Sequence, residues 1–101
     1  RLTIIVAHPR DGADYEENLC RMERHDNVFL DLSGTGLFRY GMLRTGLDRV
    51  GAERFLFGTD YPICNPGMYV EAVLFEQLTD EELECVMEKN AKRLITGEFS
   101  C

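Results

Sequence analysis

The chain has 101 residues, with 11 Lys+Arg against 18 Asp+Glu and a formal net charge of −7. A pI near 4.7 argues against the basic face that nucleic-acid binding needs and against a polybasic membrane patch. The apolar fraction of 45% suits a folded domain, no apolar run approaches the ~20 residues of a membrane helix, and the length admits one domain at most.

The first segment, Leu2-Thr3-Ile4-Ile5-Val6-Ala7, is a continuous β-branched apolar run, which predicts a strand covered on both faces. His8-Pro9 ends it, because proline cannot donate to a strand ladder and disfavours helix before it. After a turn at Asp11 to Asp14, the spacing of Tyr15, Leu19 and Met22, with Cys20 beside them, predicts a helix to about Arg24. Val28-Phe29-Leu30-Asp31-Leu32 predicts a second strand ending at Ser33-Gly34. Leu37, Tyr40, Leu43, Leu47 and Val50 repeat every three to four residues, predicting a helix with Gly51 as a left-handed C-cap. Arg54-Phe55-Leu56-Phe57 predicts a third strand, ending at Gly58-Thr59-Asp60. Met68 to Leu78 reads as a helix with Val70, Val73 and Leu74 as core residues. The last helix starts at a capping box, Thr79 with Glu82 three residues on, and stops at Gly97.

The order is therefore β-α-β-α-β-α-α. Connections of this length imply right-handed crossovers and parallel strands. Two architectures carry that order: an open doubly wound sheet and a slice of a (β/α)8 barrel. No G-x-G-x-x-G follows a strand and no P-loop is present, so the first lacks its nucleotide signature. A barrel of ~250 residues spends ~31 per βα unit, so three units would take ~94.

In both architectures, functional residues gather at the carboxyl ends of the strands. Here those ends offer His8, then Asp31 and Ser33, then Thr59-Asp60. An imidazole and a carboxylate can bind one metal, or act as acid and base near pH 7. The plainer reading is that His8 ends a strand, Asp60 caps the next turn and Asp31 caps backbone N–H groups. His25, at a helix end, reads as a solvated cap, and Asp80-Glu81-Glu82-Glu84 as a solvated helix N-terminus favoured by the dipole. Asn90-Ala91-Lys92-Arg93 reads as serving the helix end or its docking.

The four cysteines, Cys20, Cys64, Cys85 and Cys101, form no C-x-x-C pair and match no zinc-binding spacing. Independent reduced thiols and a cytoplasmic location are the expectation. A chain that begins with Arg1 and passes at once into a core-like strand is expected to be a piece of something longer.

Four segments together resemble the amidohydrolase-related metal-dependent hydrolases, a branch of the amidohydrolase superfamily. Val50-Gly51-Ala52-Glu53-Arg54-Phe55-Leu56-Phe57-Gly58-Thr59-Asp60-Tyr61-Pro62 resembles the family's last-strand signature. Ile4-Ile5-Val6-Ala7-His8 resembles the sixth strand with its histidine, and Asn27 to Gly34 the seventh. Asn90-Ala91-Lys92-Arg93-Leu94 resembles the N-A-x-R-L ending that follows a T-x-E-E helix, here Thr79 to Val86. The resemblance implies that residues 1–101 are the last three βα units of a (β/α)8 TIM barrel, its N-terminal units absent. It implies a parent enzyme using a divalent metal, zinc first with manganese or iron as alternatives, to activate water for hydrolysis or to support decarboxylation of a small-molecule substrate. Asp60 would be a metal ligand and proton shuttle, and His8 would face the substrate or the metal-bound water. Pro9-Arg10-Asp11-Gly12 replaces the family's glycine-containing stretch, which offers Arg10 to a substrate carboxylate.

The family's first-strand His-x-His is absent from these residues, so the chain alone cannot complete a metal site. With two open sheet edges, and with Val6, Leu30 and Phe57 taken as facing inward without partner strands, the isolated chain is expected to be marginal, aggregation-prone and inactive. No nucleic-acid or membrane partner is expected, and the oligomeric state of the full-length protein stays open, a homo-oligomer being one option. The alternative from another class is a degenerate, non-catalytic α/β binding module.

Overall fold

The computed structural model describes residues 2–97; Arg1 and Cys101, named above, lie outside them. The order is β1 (Ile4–Ala7), α1 (Gly12–Arg24), β2 (Val28–Asp31), α2 (Met42–Val50), a 3₁₀ turn (Ala52–Arg54), β3 (Phe55–Leu56), α3 (Pro66–Phe75), α4 (Asp80–Glu84), a π turn (Cys85–Lys89) and α5 (Asn90–Thr96). The three strands form one parallel sheet in the order β1-β2-β3. The β-α-β-α-β-α-α reading holds.

The core lies between one face of the sheet and the helices. Alternate residues of β2, Val28 and Leu30, with Leu32 beyond, meet Tyr15, Leu19 and Met22 of α1 and Leu43 and Leu47 of α2. The register sets Val6, Leu30 and Phe55 in one row across the strands. Leu30 and Phe55 have no exposed surface, and each such side chain stabilises the fold by about 1.5–3 kcal/mol. Val6, Leu30 and Phe57 thus pack against helices and do not face a partnerless interior. On the opposite face, Ile5 is half exposed, while Phe29 lies beneath the Arg54 guanidinium, 5.7 Å from its ring centroid.

β1 departs from expectation. It was read as covered on both faces, yet Ile4 and Ile5 are 42% and 53% exposed. β1 is an edge strand, and among the described residues no further strand pairs with its outer side. Helix α2 begins at Met42 rather than Leu37. Gly36 and Gly41 take φ of +124° and +91°, conformations outside a right-handed helix, so Leu37 is buried in a turn and Tyr40 is exposed. Gly51 does hold positive φ, but at ψ 153° it is not left-handed helical. Arg54 leaves the strand for the 3₁₀ turn. There its guanidinium donates to Val28 O (2.8 Å) and Met22 O (2.7 Å), tying β2 to the end of α1. In α3, Val73 is buried while Leu74 is half exposed.

The capping box of α4 is present in full: Thr79 Oγ1 accepts from Glu82 N (3.1 Å) and Glu82 Oε1 from Thr79 N (2.8 Å). Glu82 is not merely solvated, however. It pairs with Arg44 through two bonds of 2.8 and 2.7 Å. In the π turn, Asn90 N–H reaches back to Cys85 O. This frees Val86 O, which accepts from Phe57 N at 3.2 Å and extends the bonding of β3 into the helix. Asn90, 2% exposed, donates from Nδ2 to Ala52 O and Phe55 O at 2.6 and 2.7 Å. The docking reading of this segment is thereby established. Gly97 closes α5 in the left-handed conformation.

Candidate active site

The three non-glycine residues with positive φ among those described are His8 (71°), Arg10 (65°) and Asp60 (59°). These are the three residues singled out from the sequence. Each sits just past a strand, and left-handed backbone at such residues costs about 1–3 kcal/mol and concentrates at functional sites.

At the end of β1 the imidazole of His8 rests on the loop after β2. His8 Nδ1 lies 2.8 Å from Ser33 O and 3.3 Å from Ser33 Oγ. Asp31, the last residue of β2, accepts from Ser33 N (3.0 Å, Oδ1) and Ser33 Oγ (2.9 Å, Oδ2). Asp31 therefore does cap backbone, as one of its two readings held, and the backbone it caps belongs to the residue that touches His8. Gly34 has φ +71°, and a Cβ there would fall 2.3 Å from His8 Nδ1. Only glycine lets the loop lie flat against the ring.

The same loop is tied to the one after β2 a second time. Arg10 N donates to Thr35 O at 2.7 Å, and the guanidinium is exposed. His8 and Arg10 line a cleft of about 360 Å³ with Asp14, Glu17 and Arg21. Asp60 is not among the residues lining it. After β3, Asp60 O accepts from Ile63 N (3.0 Å) and Cys64 N (3.1 Å), and the peptide between Tyr61 and Pro62 is cis. The Tyr69 hydroxyl of α3 bridges the loops: it donates to Gly34 O at 2.7 Å and lies 3.4 Å from Cys64 Sγ. The bond to Cys64, then burial and the Asp60 charge, push the Tyr69 hydroxyl up to about 12. Tyr69 was missed in the sequence, because its partners lie 35 and 5 residues away. The structure thus joins His8, Asp31 and Ser33 directly and links the Asp60 loop to them through Tyr69.

His25 is exposed at the end of α1. Cys20, Cys64 and Cys85 are unpaired and half-buried. Among the described residues no group of three or more His, Cys, Asp or Glu side chains is arranged to hold a metal ion. No helix among the described residues is long and apolar enough to cross a membrane.

Three parallel strands with interleaved helices, and polar residues gathered past their carboxyl ends, suit an open doubly wound sheet or a segment of a (β/α) barrel, and the solved structures similar to this chain are barrels. The sequence matches the Amidohydrolase family over residues 1–96, and the chain belongs to that family. A dihydroxybenzoic acid decarboxylase from Polaromonas sp. JS666, solved with bound manganese and the inhibitor 2-nitroresorcinol, is similar in fold. Its TM-score is 0.73 at 22% identity, covering 94% of this chain and 34% of that one. A 2,6-dihydroxybenzoate decarboxylase from Rhizobium gives 0.65 at 24% identity, over 79% of this chain and 24% of that one. The same values hold for a 2,6-dihydroxybenzoate decarboxylase complexed with 2,6-dihydroxybenzoate. This chain therefore spans about a quarter to a third of the length of these solved relatives. No curated protein sequence matches it.

Proposed function

We propose that residues 1–101 are the carboxyl-terminal part of one amidohydrolase-type barrel domain, and that the whole protein is a metal-dependent decarboxylase of a small aromatic carboxylate. The observation that carries this reading is the left-handed backbone of His8 and Arg10 past β1 and of Asp60 past β3, in a chain of the Amidohydrolase family. Decarboxylation, rather than hydrolysis, is favoured by what the structural neighbours act on. Hydrolysis is the second reading, favoured by the family as a whole.

In this reading Asp60 offers one carboxylate to a divalent cation whose other ligands lie outside this chain. The cation is Mn²⁺, as in the Polaromonas relative, or Zn²⁺. Arg10 pairs with the substrate carboxylate, for which a guanidinium fork is the geometric match. Loss of CO₂ breaks the bond from ring carbon to carboxylate and leaves its electron pair on that carbon, which must then take up a proton. His8 is the group that holds and moves a proton beside it. The isolated 101-residue chain is inactive. Three unpaired cysteines accord with a cytoplasmic protein.

The test uses the full-length protein, 2,6-dihydroxybenzoate and Mn²⁺. CO₂ release is expected, and Asp60→Asn should lower it at least ~100-fold and reduce bound metal per protein. CO₂ release that survives Asp60→Asn would overturn the role of Asp60. An inert wild type that hydrolyses an amide or lactone would put the hydrolase reading in its place. Neither activity, with metal content indifferent to Asp60→Asn, would leave the non-catalytic module.

A further inference from the structure

We infer that Asp31 is a positioning residue that fixes the tautomer of His8, keeping the proton on Nδ1 and leaving Nε2 as the basic nitrogen. The inference rests on the catalytic reading of His8, but its geometry stands by itself. A carbonyl oxygen can only accept, so Ser33 O, 2.8 Å from Nδ1, requires a proton on that nitrogen. The other neighbour, Ser33 Oγ at 3.3 Å, is ambiguous in isolation, because a hydroxyl both donates and accepts.

Asp31 removes the ambiguity. Its Oδ2 takes the single hydroxyl proton of Ser33 at 2.9 Å, so Oγ presents lone pairs to the imidazole. Its Oδ1 takes Ser33 N–H at 3.0 Å, which anchors the backbone that carries Ser33 O. Ser33 is 5% exposed, so water competes little for these bonds. Both atoms facing Nδ1 are then acceptors. Gly34 lies against the ring on one side, where a Cβ would fall 2.3 Å from His8 Nδ1. Gly58 in turn abuts Asp31: a Cβ there would fall 2.3 Å from Asp31 Oδ1. The end of β3 therefore buttresses the carboxylate that orients the residue at the end of β1.

Asparagine at position 31 would reverse the arrangement. With its amide oxygen on Ser33 N–H, its NH₂ would donate to Ser33 Oγ. The hydroxyl proton would be released towards Nδ1 and would compete with the demand of Ser33 O for a proton there, so the two tautomers would mix.

The experiment is long-range ¹H–¹⁵N correlation of the histidine rings in the full-length protein, at a pH where they are neutral, with His8 assigned by its loss in His8→Gln. The wild type should show a pyrrole-type Nδ1 and a pyridine-type Nε2. The reverse pattern overturns the inference without reference to any activity. In Asp31→Asn the pyridine-type signal should move towards Nδ1, and kcat should fall 10- to 100-fold, the usual range for such supporting groups, with KM little changed. Ser33→Ala keeps the carbonyl and its bond, so it should keep the wild-type tautomer and lose less kcat. Wild-type ring signals and wild-type kcat in Asp31→Asn would refute the role. If Asp31→Asn does not fold, the wild-type spectrum and Ser33→Ala still decide. The expected tautomer in a protein inert towards 2,6-dihydroxybenzoate would sink the decarboxylase reading while leaving this one intact.

Discussion

Helix α2 enters the fold without a cap of its own. Its N-cap residue is Gly41, which has no side chain to offer. The missing acceptor comes from the end of α3: Glu76 Oε2 accepts from Gly41 N at 2.7 Å and Oε1 from Arg44 N at 2.8 Å. Glu76 is only 7% exposed, and a carboxylate at a helix N-terminus also complements the dipole. Replacing it by alanine orphans two amide donors at once. Hydrogen bonds to a charged acceptor contribute about 1.5–3 kcal/mol each. The ends of this cap are half-buried, so water recovers part of that, and a lost N-cap typically costs about 0.5–2 kcal/mol. The expected cost of Glu76→Ala is therefore ~2–4 kcal/mol. Glu76→Gln should cost about half as much, since one acceptor survives and the new NH₂ opposes an N–H. The assay is amide hydrogen exchange in the full-length protein, read at Gly41 to Leu47. At ~1.4 kcal/mol per tenfold, protection there should fall roughly 30- to 700-fold in Glu76→Ala, with distant segments unchanged. A natively folded Glu76→Ala protein with wild-type exchange across this turn would refute the capping argument.

Asn90→Ala removes the two donors that hold Ala52 O and Phe55 O. It should destabilise the protein by ~2–4 kcal/mol, seen as a lower urea midpoint with an unchanged slope. Glu82 is held well below its ordinary 4.5, at about 2, chiefly by the Arg44 guanidinium and then by Thr79 N–H. A depressed folded-state pKa contributes stability above the unfolded value, and that stability is lost as pH falls from about 4.5 towards about 2. The pair is partly solvated, so the amount is below ~1 kcal/mol. Comparing the acid-unfolding profiles of wild type and Glu82→Gln checks it: the two should draw together as pH falls from about 4.5 and meet only towards about 2. Divergence that grows with acidity would reverse the sign.

Local signals were legible in the sequence and distant ones were not. The capping box at Thr79, the stop at Gly97 and the apolar stripe of α1 each lie within one turn of chain. The start of α2 was misplaced because side-chain periodicity continues through Leu37 while Gly36 and Gly41 break the backbone. The half-exposed faces of β1 could not be told from buried ones, because an apolar run records what a strand can pack against, not what is there. Of the site, His8, Arg10 and Asp60 stood out by their place after strands. Asp31 was left between two readings, and only its contact with Ser33 decides. Glu76 and Tyr69 gave no signal at all: the partners Gly41 and Arg44 of the one, and Gly34 of the other, are more than 30 residues away.

The widened turn at Cys85–Lys89 makes the last helix a segment whose residue count matters. Deleting one residue there would restore ordinary helical winding. Val86 O would be reclaimed by the helix, and everything downstream would rotate by about 100° and retract by about 1.5 Å. Asn90 would then point away from Ala52 and Phe55, and Phe57 N–H would lose its acceptor. Two strand-to-helix ties thus depend on one surplus residue, so among natural length variants this helix should keep its count while the surrounding loops vary.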